Sequence, residues 1–266
     1  MTVKRFLRTP KGTLVVILVV LATVAAFGEK VNVFPGLVSS AAVAMIIDGA
    51  ILRWRKGRWV LPDGAFLTAL IVAMVLSAHE RWYVAPVTAG IAVLSKYVFR
   101  ARRANVFNPA VLGLVVTFFM FGTEQDWWGA LPDLPLAWLA LLVGMGVFIA
   151  HRTNKLPVVV TFLGVYYLLF TAMAFLGDPA KVAGMYRAPD LHAALYFAFF
   201  MVTDPPTSPP RHRHQVVYGV IVAVVCCAVF EATGAVYYLL AGVLVANVWE
   251  AAHRHYLSRP TARAKA

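Results

Sequence analysis

Phe199-Phe200-Met201-Val202-Thr203-Asp204-Pro205-Pro206-Thr207-Ser208-Pro209-Pro210 runs an apolar segment straight into a carboxylate and four prolines. Proline removes a backbone donor and breaks the helical ladder, and an ionised group is expensive at membrane depth. The stretch therefore predicts a broken helix whose irregular backbone is buried in protein or lines a cavity. A second break, Asn105-Val106-Phe107-Asn108-Pro109-Ala110, opens another apolar run behind the basic patch Arg100, Arg102, Arg103. Pro109 suits a first helical turn, with Asn108 as its N-cap. Two such breaks in one apolar chain predict a central site framed by the remaining segments.

Bulk composition sets the class. Hydrophobic residues make up 61% of the 266, and the mean hydropathy is +0.75. Apolar runs follow one another almost end to end, which predicts a single integral membrane domain over 1–266, all-α and polytopic, with no separate soluble domain. A formal net charge of +12 would suggest nucleic acid in a soluble protein; here bilayer topology accounts for it, and no nucleic-acid partner is expected. Cys226 and Cys227 are adjacent inside an apolar run, without metal-ligand or disulfide spacing, and read as packing.

Ten apolar runs are expected: Thr13 to Gly28, Phe34 to Leu52, Asp63 to Ala78, Trp82 to Phe99, Val106 to Gly122, Leu134 to Ala150, Leu156 to Leu176, Leu191 to Val202, His214 to Phe230 and Ala235 to Ala251. The first follows Lys4, Arg5, Arg8 and Lys11 and is taken as retained, since no clear cleavage site follows it. Asp63 to Ala78 and Leu191 to Val202 are short for a full crossing and are the half-helix candidates. Assigning alternate loops to the cytoplasm collects 20 of the 24 Lys and Arg. That asymmetry predicts ten crossings with the tails 1–12 and 252–266 both cytoplasmic. Trp127, Trp128 and Trp138 are then expected to flank an external loop as interfacial aromatics.

Ten runs divide into two sets of five, 13–122 and 134–251, and an odd number inverts the second set. Sliding the chain by 129 residues pairs Gly90 with Gly219, Gly113 with Gly242, and the two short runs with each other.

Lys96 to Gly113 (KYVFRARRANVFNPAVLG) and Ala198 to Pro209 (AFFMVTDPPTSP) resemble the two signature stretches of the family that contains the D subunit of the Rnf electron-transport complex and the B subunit of the sodium-translocating NADH:quinone oxidoreductase. Asp63-Gly64-Ala65-Phe66-Leu67-Thr68 and the segment around Asn247 also resemble family segments, so the likeness covers nearly the whole chain. The resemblance implies ten membrane helices in two inverted five-helix repeats, distantly urea-transporter-like. It also implies a flavin as redox group, and electron transfer that in some members is coupled to sodium or proton movement. One departure matters. The family's complex subunits carry S-G-A-T in the external loop after helix five, whose threonine bonds flavin mononucleotide (FMN). This chain has Gly122-Thr123-Glu124-Gln125-Asp126-Trp127-Trp128-Gly129 there. A non-covalent flavin, riboflavin or FMN, is the expectation.

An isoalloxazine ring needs a flat apolar slot and a few fixed donors and acceptors. Asn105, Asn108, Thr203, Thr207 and Ser208 offer polar groups, and Phe107, Phe199 and Phe200 offer walls; Pro109, Thr68 and Lys96 complete the expected cofactor set. The competing reading is that Asn108 and Ser208 cap helices while Thr203 bonds its own turn. Asp204 is the sharpest candidate, to accept from flavin, bind a cation or relay a proton. Asp48 is expected at the interface or paired with Arg53. Gly144-Met145-Gly146 lacks the third glycine and the strand of a dinucleotide fingerprint and reads as close helix packing. The histidines around Arg213 and Arg254 stand among cations, which disfavours a metal.

The sequence thus predicts a flavin-binding electron-transfer subunit in contact with lipid and with separate redox proteins or other subunits, because no nucleotide motif and no iron-sulfur cysteines are present. The competing class is a small-solute or flavin channel of the same fold without redox chemistry.

Overall fold

The computed structural model describes residues 6–28, 32–101, 104–135, 137–177 and 179–257. Arg102 and Arg103 of the basic patch lie outside the described residues. Each expected run forms a helix: α1 Pro10–Gly28, α2 Phe34–Lys56, α3 Asp63–Val75, α4 Val84–Val98, α5 Pro109–Phe121, α6 Ala137–Arg152, α7 Leu156–Leu176, α8 Asp190–Tyr196, α9 His212–Thr233 and α10 Tyr238–Leu257. A hairpin of β1 Arg100–Ala101 and β2 Ala104–Asn105 joins α4 to α5. The chain is an all-α polytopic membrane protein.

The helices are unequal. α1, α2, α7 and α9 have 19, 23, 21 and 22 residues and are long and apolar enough to cross a bilayer. α3 and α5 have only 13 residues each; at 1.5 Å per residue that is about 20 Å, against about 30 Å of hydrocarbon. The shortness expected of Asp63 to Ala78 and Leu191 to Val202 extends further: α4, α5 and α6 are also shorter than a full crossing, at 15, 13 and 16 residues. α8 is the most irregular. It passes without interruption into a π-helical turn, Phe197–Met201, closed by the Val202 amide on the Phe197 carbonyl at 3.0 Å. Such turns widen the helix and are frequent at functional sites.

The two halves repeat one packing scheme. α2 packs on α4 and α4 on α5; in the second half α7 packs on α9 and α9 on α10, while α5 and α10 meet where the halves join. The glycines paired by sequence sit at equivalent seams. A Cβ at Gly113 would lie 2.9 Å from the Thr88 carbonyl of α4, and one at Gly242 would lie 2.7 Å from the Val222 carbonyl of α9. Only glycine permits that approach, as in membrane helix pairs generally. Gly146 similarly packs against the Phe199 ring, as the close-packing reading expects, whereas a Cβ at Gly144 would meet nothing within 4 Å.

α3 and α8 run in opposite directions. The residue after α3, Leu76, bridges Gln125 in the α5–α6 loop, and Asp190, which opens α8, lines a cleft with that same Gln125. α8 then runs to the other end, where the Asp204 loop meets Lys155 and Arg254.

Candidate functional site

The proline-rich break forms a compact loop closed on itself. The Ser208 amide and hydroxyl both donate to the Asp204 carbonyl, at 2.9 and 2.7 Å, and the Thr207 hydroxyl donates to Asp204 Oδ2 at 2.7 Å. Thr203 donates its hydroxyl back to the Phe199 carbonyl at 2.6 Å. The carbonyls of the loop face outward to cations: Lys155 Nζ donates to the Ser208 and Pro209 carbonyls at 3.2 and 2.7 Å, and Arg254 to those of Pro206 and Ser208 at 2.8 and 3.1 Å. Lys155 is 4% exposed in the turn between α6 and α7. That burial pushes its amine down to about 8 against the opposing pull of Asp204.

Asn108 ties the two breaks together. Its side-chain oxygen accepts from the Ala110 and Val111 amides at 3.1 and 3.3 Å, the N-cap expected from Asn-Pro, with Pro109 in the first turn. Its Nδ2 donates across to the Met201 carbonyl at 3.1 Å, and its own amide donates to Asn247 Oδ1 at 2.8 Å. Asn247 completes the link by donating to the Tyr218 hydroxyl at 2.6 Å and the Thr207 carbonyl at 3.4 Å. An asparagine inside an apolar helix is a polar group that must find partners. That was the available signal for Asn247; nothing in the sequence distinguishes Lys155 or Arg254 from ordinary terminal cations.

Lys96 organises a neighbouring centre. Its Nζ donates to the Gly64 carbonyl at 2.8 Å, which also accepts the Thr68 hydroxyl at 2.8 Å, and its charge acts on both Asp48 and Asp204. Asp48 is buried and accepts from the Tyr97 hydroxyl at 2.6 Å. The expected Asp48–Arg53 pair does not form. Side chains five positions apart point away from each other on a helix, whereas neighbours lie three or four apart.

The structure brings Asn108, Asp204, Thr207 and Ser208 together, with Lys96 and Thr68 beside them. Asn105 lies in the β-hairpin opposite Arg100, and the Phe107 ring meets Phe99 at 5.5 Å. Phe199 and Phe200 are each 3% exposed and packed in the core. The hydroxyls of Thr203, Thr207 and Ser208 and the Asn108 amide are all bonded to the protein itself: Asn108 caps α5 and Thr203 bonds its own turn, as the competing reading has it, whereas Ser208 caps no helix and bonds back to Asp204 within the loop.

The opposite end holds a cleft of about 400 Å³. Gln125, Trp127, Asp133, Asp190, Tyr238 and Leu239 are among its walls. Trp127 and Trp128 are not interfacial as expected. They are 6% and 2% exposed, and Trp128 Nε1 donates to the Ala73 carbonyl at 2.7 Å. The backbone at Trp127 and Leu131 is left-handed, with φ of 52° and 63°, a costly conformation for such residues that tends to collect at functional sites. Both polar atoms of the Gln125 side chain are buried without a partner. A buried amide with neither donor nor acceptor satisfied is costly and needs an explanation.

The cleft and the break are joined by rings. Trp127 stands 6.3 Å from Tyr196, and Tyr196 stands 4.9 Å from Phe200, at the π-helical turn that leads to Asp204.

The model of the NQR2, RnfD, RnfE family matches the chain twice, over residues 8–135 and 134–262. The chain belongs to this family. Among named relatives, it is similar to the D subunit of the ion-translocating oxidoreductase complex of Pseudomonas aeruginosa, 26% identical over 245 residues, covering 70% of this chain and 71% of the relative. The corresponding protein from Pseudomonas paraeruginosa is 28% identical over 248 residues, covering 68% and 70%. That from Salmonella paratyphi A is 23% identical over 293 residues, covering 80% and 82%. Within this family the Asn108 and Asp204 breaks fall on the two stretches that carried the resemblance.

Proposed function

We propose that the chain is a flavin-carrying subunit of a membrane-bound, ion-translocating oxidoreductase complex, with its two halves arranged as inverted repeats. The antiparallel course of α3 and α8 supports the inversion. The relatives' names support the complex. The observation that carries the flavin is the cleft against the α5–α6 loop, with its unpartnered Gln125 amide beside the Trp127 and Tyr238 rings.

These residues fit an isoalloxazine ring. The Gln125 side chain, turned into the cleft, would offer its donor and acceptor to the alternating carbonyl and N–H edge, and Trp127, Tyr238 and Leu239 would supply apolar walls. A flavin bound there supplies one- and two-electron transfer. Attachment is non-covalent, since the loop lacks S-G-A-T and Thr123 is 1% exposed. Asp204 and Lys96, at the far end of the aromatic path, form the charged centre that handles the translocated cation or proton, with Lys155, Arg254, Asn108 and Asn247 holding the loop backbone in place.

The test is the visible spectrum of the detergent-purified protein after incubation with riboflavin and with FMN, followed by acid precipitation. Yellow colour released into the supernatant is expected. Colour retained on the pellet overturns the non-covalent assignment. A colourless native protein after both incubations overturns the flavin reading and leaves a solute channel of the same fold.

A further inference from the structure

The seam between the antiparallel helices α9 and α10 carries a file of polar side chains, of which the function above uses only Asn247. Tyr218 and Asn247 open the file, bonded across the seam at 2.6 Å. His214 and His253 stand further along it, their rings 4.5 Å apart and edge to face at 87°. Between these two contacts lie Gln215, three positions before Tyr218, and Glu250, three positions after Asn247. A spacing of three keeps each on the face of its neighbour, so the two contacts hold Gln215 and Glu250 at one level.

Both are buried, at 0% and 2% exposure. Among the described residues Gln215 Oε1, Glu250 Oε2 and His253 Nε2 have no hydrogen-bond partner. The rest of each side chain is fixed. Gln215 Nε2 donates to the Asn154 carbonyl at 3.0 Å, Glu250 Oε1 accepts from Arg254 Nε at 2.6 Å, and the His253 ring lies parallel to Trp249 with 5.4 Å between centres.

Two acceptors cannot bond each other, and leaving them unpaired costs about 1–3 kcal/mol apiece. A cation is a poor answer, because Arg254 already neutralises Glu250 and meets Lys155 on the Ser208 carbonyl. Tyr218 and His214 of α9 and Asp204 of the proline-rich loop are the other ionisable groups around Glu250. The partner that fits is neutral, donates twice and accepts once. Water does this, and a buried water makes about three such bonds.

We propose that this seam passes protons between the His214–His253 pair and Glu250 through one water held by Gln215. His253 Nε2–H donates to the water, and the water donates to Gln215 Oε1 and Glu250 Oε2. A proton leaving His253 Nε2 for the water is matched by one passing from the water to Glu250 Oε2. Imidazolium becomes imidazole, carboxylate becomes carboxylic acid, and the water is restored. Service of this route to the Asp204 centre rests on the ion-translocating reading above; the transfer itself does not.

Nitrogen NMR of the full chain in detergent, with isotope-labelled histidine at about pH 8, where an ordinary imidazole is neutral, tests the route. The His253 signal is assigned by its loss in His253→Gln. The Nε2–H tautomer is expected, with exchange to water. The Nδ1–H tautomer overturns the proposal, since a water that donates to both oxygens has no third hydrogen for Nε2. Solvent exchange of the Nε2 proton should slow by at least about tenfold in Glu250→Gln, which keeps the shape and removes the base. Unchanged exchange in that variant overturns the transfer even where a water is held. Glu124→Gln removes equal charge at the opposite end and should leave the exchange as it is; equal slowing in both variants also overturns the proposal. The tautomer on the unmodified protein decides the matter where Glu250→Gln fails to fold.

Discussion

α3 and α8 occupy equivalent places in the two halves, and they end differently. α3 finishes in an extended Leu76 that bridges Gln125, with the Ser77 amide donating to the Glu124 carbonyl at 3.1 Å. The exit is apolar, and short sheet-like pairing satisfies its backbone. α8 widens into a π-helical turn and finishes in Asp204 and the prolines, where pairing is impossible and side chains from α5, α10 and the α6–α7 turn must satisfy the backbone instead. The same interruption of a helix has a closed solution in one half and a charged, externally braced solution in the other. The difference follows from proline: without amides the second loop presents carbonyls, and carbonyls attract Lys155 and Arg254.

The largest effect is expected at the brace. Asn108→Ala removes the cap of α5, about 1 kcal/mol, and one long-range bond to the other break, about another, leaving a buried carbonyl unsatisfied. A loss of about 2–4 kcal/mol, read from thermal unfolding in detergent, is the expected outcome. Ser77→Ala at the α3 exit should cost less than about 1 kcal/mol, since its backbone bonds persist. Equal costs would break the contrast between the two exits.

Gly113→Ala and Gly242→Ala test the repeated seams. Each Cβ would press on a facing carbonyl, and each variant should lose about 1–3 kcal/mol. One of them tolerated without loss would mean that the halves are not packed alike.

The division of labour between the two ends is tested by flavin affinity, followed by fluorescence quenching. Gln125→Ala should weaken flavin binding about tenfold, or about 1.4 kcal/mol. Asp204→Asn should leave the dissociation constant within about twofold while the protein still inserts, because the proposed flavin and the Asp204 loop lie at opposite ends. The reverse pattern would move the flavin to the proline-rich break. The smallest effect belongs to Thr203→Ala, expected to change stability by less than about 1 kcal/mol because its hydroxyl only bonds its own turn; loss of flavin in that variant would restore it to the binding site.

Much of this architecture is legible in the chain. Helices α1 to α10 all fall on apolar runs, and Leu156–Leu176 coincides with its run at both ends. Asn108 before Pro109 signals a cap because local capping depends on neighbours in sequence. Where sequence and structure differ, the differences share a cause. Residue type assigns Trp127 and Trp128 to an interface, yet burial depends on the strained turn that folds them onto α3. Proximity along the chain matches Asp48 with Arg53, yet its partner Tyr97 comes from a helix that only packing brings near. Gln125 carries no signal, because an unpartnered amide is a property of the walls around it.

Composition and periodicity by themselves determined that this is a membrane protein, where its helices lie, and that two of its breaks are chemically unlike ordinary loops. These are local consequences of hydrophobicity, proline and glycine. Only the tertiary structure decided which polar groups are already spent. The hydroxyls at the proline-rich break turn to their own loop and helix end, Asn247 and Lys155 arrive from distant segments to hold it, and the unpartnered amide stands at the opposite end. Hydrogen-bond satisfaction is settled by what lies within about 3 Å in space, and spacing along the chain does not encode that.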